Sequence, residues 1–154
     1  MPYATPSDLQ ERYMERDLRL VTDPGAQAID QARAQRALDD ADAEIDGWIG
    51  QRYVLPLTHT IDLTPLATPV VLTRLACDVA IYRLQTLRPA DDVKDARLRY
   101  EDALKVLRLM ASGGVKIPLA KLLPGVAEQG EDAALSAGSA QFTEGTAIFS
   151  REFR

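Results

Sequence analysis

Five acidic residues between Asp39 and Asp46 are the first candidates for chemistry. Asp42-x-Glu44-x-Asp46-Gly47-x-Ile49 places carboxylates at alternate positions, then a glycine, then an aliphatic residue, as a calcium loop opens. Such a loop closes on a bidentate Glu at its twelfth position, and that position here is Tyr53. Apolar residues also continue through the run at steps of three and four, as in a helix and not a loop. The expectation is a solvated helix face without a metal.

Nucleophilic chemistry is no better supported. The one cysteine, Cys77, sits in the apolar run LACDVAIY, where a buried, inert thiol is the usual outcome. The one histidine, His59, lies in a different segment with no carboxylate cluster around it, which favours a surface residue over a ligand or base. There is no Gly-x-Ser-x-Gly elbow and no glycine-rich loop between strand and helix. Asp78 is expected to form a structural ion pair with Arg74, Arg83 or an arginine of another helix. These residues predict a protein that is not an enzyme and binds no cofactor.

The elements around them read as helices. Ala34, Ala37, Leu38, Ala41, Ile45, Trp48 and Ile49 fall on one face of a helix that begins near Asp30, and Pro56 stops it or bends its exit. Trp48 is placed in the core against the next helix. Before it, Thr5-Pro6-Ser7-Asp8 is a helix start, with a Thr cap, Pro at the first position and an acid in the first turn. That helix is expected over 6–16, ahead of a turn at Thr22-Asp23-Pro24-Gly25. Thr68-Pro69 repeats the start signal, and Val71, Leu72, Leu75, Ala76, Val79, Tyr82, Leu84 and Leu87 are apolar over so broad a face that this helix should be central. A fourth helix opens at Asp91, Asp92 and Asp95 and closes at Ser112-Gly113-Gly114. Its cations alternate with Asp95, Glu101 and Asp102, which describes a face laced with ion pairs more than a nucleic-acid stripe. The expected fold is all-α, a compact bundle of about four helices over 6–112, with no large sheet.

The 154 residues suffice for one core without crosslinks, and a single cysteine fits a reducing compartment. No signal peptide and no membrane span are expected. Residues 1–66 carry 6 Lys+Arg against 12 Asp+Glu, while residues 67–154 carry 12 against 11. So acidic a first half argues against its lying on nucleic acid; it suits a well-solvated surface or stacking of copies in one orientation.

After Gly114 the texture changes. Residues 120–141 are poor in large side chains, yet all three phenylalanines fall within the last thirteen residues. The division is a helical domain over 1–117 and an extended C-terminal arm over 118–154. Phe142, Ile148, Phe149, Arg151, Phe153 and Arg154 are the expected partner-binding residues, whether the partner is the chain's own bundle or a neighbour. Thr146, Ile148 and Phe149 suit a strand added to a neighbour's edge, with Arg151 and Arg154 paired to the Asp39–Asp46 face of an adjacent copy.

The closing stretch AEIDGWIGQRYVLPL of the Ala-rich helix resembles a Mu-like prophage family, which in turn resembles the small helical head–tail connector (adaptor) proteins of tailed phages. YATPSDL at residues 3–9, LACDVAIYRL at 75–84 and RYEDAL at 99–104 extend the resemblance over roughly residues 1–117. It implies a homo-oligomeric ring of twelve copies below the portal protein that lengthens the DNA exit channel. It also implies portal and tail-completion or tail-terminator proteins as partners, with DNA passing through the lumen and no sequence-specific contact. The location implied is the virion neck, reached from the host cytoplasm during assembly. The alternative is a small cytoplasmic helical protein-binding or regulatory module.

Overall fold

A computed structural model describes residues 2–23, 25, 28–87 and 94–126. Five helices run through them: α1 Pro6–Arg12, α2 Glu15–Thr22, α3 Gln31–Ile49, α4 Val70–Leu87 and α5 Lys94–Ser112. The long helices α3, α4 and α5 pack against one another, and α1 and α2 lie across α3 and α4. The chain is all-α.

Local chemistry accounts for the helix ends. Thr5 and Asp8 form a reciprocal capping box, with Pro6 opening the helix. Asp30 caps α3 by accepting the Arg33 N–H. The expected helix over 6–16 is two helices. Tyr13 leaves helical geometry (φ −121°, ψ 147°) while its N–H still closes on the Leu9 carbonyl, and α2 starts afresh after Met14. The break turns the Tyr13 ring toward α4, and a continuous helix would carry it elsewhere. This adds α2, whose Leu18 and Val21 are buried, to the four helices expected.

Alanines at 34, 37 and 41 bring α3 close to its neighbours, and Leu38, Ile45 and Ile49 fill the space beside them. Burying each of those larger side chains contributes about 1.5–3 kcal/mol. Leu72, Leu75, Ala76, Cys77, Val79, Ala80 and Leu84 are all buried, so α4 is covered on several sides, as its apolar width predicts. Trp48 departs from expectation. It is half-buried, packed at the margin of the core, and the Arg108 guanidinium of α5 lies over its ring at 5.5 Å. Its large ring lies beyond the close-packed alanine half of α3, at the rim of the bundle.

At the end where α3 and α5 finish, two irregular segments knit together. The buried hydroxyl of Tyr53 accepts the Ile117 N–H at 3.0 Å. Isolated bridges pair Tyr53 with Leu122, Thr58 with Pro65 and His59 with Ala120. Residues 118–123 therefore lie along the 53–60 segment. Gly113, at φ +88°, makes the turn out of α5, and the buried Arg52 guanidinium lies against it.

Candidate functional site

The acidic face of α3 is not simply solvated. Asp42 accepts the Tyr3 N–H on both oxygens at 3.2 Å, and the Tyr3 hydroxyl donates to Asp46. Glu44 accepts from the Tyr100 hydroxyl at 2.7 Å and from Arg83 at 2.8 Å. Three of the five acids thus hold the segment before α1, together with α4 and α5, to α3. Asp39 and Asp40 stay exposed. Burial, helped by the Asp46 charge and opposed by the Tyr3 N–H, pushes Asp42 up to about 6. Burial and the bond to Asp46 raise the Tyr3 phenol well above its usual range.

Asp78 also differs from its expected ion pair. It accepts the Tyr13 hydroxyl at 2.6 Å, and Arg99 lies over the Tyr13 ring at 5.5 Å. A tyrosine at the break between α1 and α2 took the place of the arginine that helical spacing suggested. Cys77 beside it is buried, and that burial pushes its thiol up to about 12, which keeps it protonated and inert. The Tyr82 and Tyr100 rings stack with centroids 4.3 Å apart. These contacts fix helices in place. Chemically they are mostly hydroxyl–carboxylate ties, with each acid committed to a neighbouring segment.

A second feature lies at the knitted end. Ile61, Leu63, Val70, Val71, Leu109 and Leu119 are exposed there, six of the nine exposed large apolar side chains among the described residues. Met14, Leu20 and Leu98 are the others. Thr60 fastens the 58–66 loop to the second segment, since its N–H and hydroxyl both donate to the Leu119 carbonyl, at 3.0 and 2.9 Å. Leu63 and Leu119 take positive φ, 57° and 62°, which side chains of their kind seldom adopt. Such backbone strain persists where the surroundings impose it, and it gathers at functional positions. Beside Leu119 a cavity of about 150 Å³ opens between Tyr53, Thr60, Lys116 and Ile117. The aliphatic residues set among turn formers in THTIDLTP were the available signal for this apolar pole.

Phe142, Ile148, Phe149, Arg151, Phe153 and Arg154 lie outside the described residues. Among the described residues, no group of three His, Cys, Asp or Glu is placed to hold a metal. No helix there is long and apolar enough to cross a membrane.

Comparison with known proteins places this bundle in context. The chain is 38% identical over 118 residues to the Mu-like prophage FluMu protein gp36 of Haemophilus influenzae, covering 76% of each chain. It is 35% identical over 115 residues to gene product J of Escherichia phage Mu, covering 73% of this chain and 74% of that one. The family model for bacteriophage Mu Gp36 matches residues 3–135, which takes in the tyrosine–carboxylate ties and the whole apolar pole. On that match and those identities, this chain belongs to the bacteriophage Mu Gp36 family.

Proposed function

We propose that this protein is a structural subunit of the phage neck, a head–tail connector (adaptor) that forms a ring between portal and tail. The observation that carries the reading is membership of a phage Mu family by a helical bundle with six of its nine described exposed large apolar residues at one pole. Exposed apolar surface of that kind marks a place where another protein sits. Heterologous contact between copies closes a ring when the rotation between neighbours permits it. In this reading the ring has about twelve copies, by resemblance to connectors, and DNA crosses its lumen without base-specific contact. Its upper face meets the portal and its lower face a tail-completion or tail-terminator protein. The protein works by assembly, with no reaction of its own, and the tyrosine–carboxylate ties keep each subunit's shape during that assembly.

The test is a prophage in which this gene alone is silenced, induced and imaged by electron microscopy. DNA-filled heads and separate tails that fail to join, with joining restored when the gene is supplied, are expected. Normal tailed particles from the silenced prophage would overturn the reading.

A further inference from the structure

The apolar pole has a cavity and a strained rim but no described residue covering it. Ile61 is 92% exposed, Val70 75%, Leu119 62% and Leu63 54%, on segments held in place by the Thr60–Leu119 and Tyr53–Ile117 bonds. A cavity of about 150 Å³ is large enough for one benzene-sized ring. We propose that the pole is the seat for the C-terminal segment, residues 141–154, of a second copy of this chain, with one Phe ring entering the cavity beside Tyr53.

Two observations select this occupant. The described chain ends beside the pole, where the Leu123 N–H donates to the Arg52 carbonyl and the Val126 N–H to that of Leu123. The sequence beyond supplies Phe142, Ile148, Phe149 and Phe153, the ring-bearing and aliphatic groups such a cavity takes.

Length puts a neighbour's pole within reach as well as the chain's own. A return to the pole beside its own exit needs only a short turn. Residues 127–140 reach up to about 45–50 Å when extended, enough to cross a domain of this size with its radius of gyration of about 14 Å. A segment that leaves one copy and seats on the next is a head-to-tail contact, which propagates around a ring. The inference rests on the assembly reading above, and names the contact between copies.

The test uses full-length chains and a fluorescent synthetic peptide of residues 141–154. One variant, F142A/F149A/F153A, silences the segment; another, I61D/L63D, spoils the pole, with Ile61→Ser as a milder form that touches no core residue. Circular dichroism and melting establish that each is folded. The segment-silenced chain should bind the peptide saturably, and the pole variants at least tenfold more weakly. Sedimentation of the wild-type chain, at concentrations above the peptide Kd, should then show self-association that F142A/F149A/F153A and I61D/L63D each abolish. Peptide binding that is absent, or unaffected by I61D/L63D and Ile61→Ser, overturns the seat. Pole-dependent peptide binding with a wild-type chain that stays monomeric shows that the segment folds onto its own pole, and overturns the second copy. None of these results bears on whether a silenced prophage makes tailed particles, so the seat and the neck role fail separately.

Discussion

The guanidinium of Arg52 lies against the bare α-carbon of Gly113, where an added Cβ would stand 2.7 Å from its Cζ. Both residues are buried, and Gly113 has φ +88°. Gly113→Ala therefore meets the left-handed penalty of about 1–2 kcal/mol and must also displace a confined side chain. A loss of about 2 kcal/mol or more is expected in urea unfolding. A loss below about 0.5 kcal/mol would mean the turn out of α5 relaxes freely.

Tyr13→Phe keeps the ring and removes the hydroxyl that donates to Asp78 at 2.6 Å. The carboxylate is half-buried, so losing its donor should cost about 1–2 kcal/mol. Tyr13→Phe/Asp78→Ala against the single variants isolates the pair, and additive single effects would show no coupling between them.

Asp42 gives the stability a pH dependence of known sign. Its pKa in the fold is about 6, above the ordinary carboxylate value of 3.8, so the folded protein holds a proton that the unfolded chain releases. The stability this adds is full below pH 4 and is lost as pH rises through 6. Asp42→Asn should flatten the wild-type slope between pH 4 and 6, measured by urea unfolding at several pH values. An unchanged slope would assign it to another group.

Trp48→Ala tests the rim position of the indole. A ring fully in the core costs about 3–5 kcal/mol on truncation, whereas one half-buried with Arg108 above it should cost about 2 kcal/mol. Its fluorescence should also be quenched partly by iodide in the native protein. Complete protection with a cost of 4 kcal/mol or more would return the ring to the core.

What the sequence made legible was whatever depends on neighbours along the chain. The Thr5 cap, the α3 stripe of Ala34, Leu38, Ala41 and Ile45, and the central place of α4 follow from spacing and cap chemistry alone. The break at Tyr13 was hidden because the bond that fixes it comes from Asp78, 65 residues away. The same distance hid the work of the acidic run. Asp42 and Asp46 look like solvent-facing charge until Tyr3 folds across them. Asp78 was paired with arginines because helical spacing offers only local partners. The apolar pole was illegible for the same reason, since Ile61, Leu63 and Leu119 become one surface only when residues 53–60 and 118–123 align.

The two tyrosines that bracket α1 have a kinetic consequence. Seven residues are too few to hold a helix in water, so α1 depends on its tertiary contacts: buried Leu9, the grip of Tyr3 on α3 and that of Tyr13 on α4. Its amides should exchange with solvent deuterium together, by release of both phenols, at a lower opening free energy than those of α3, α4 and α5. Removing either hydroxyl should speed exchange across all of α1 and leave the α4 amides near Leu75 and Val79 as slow as before.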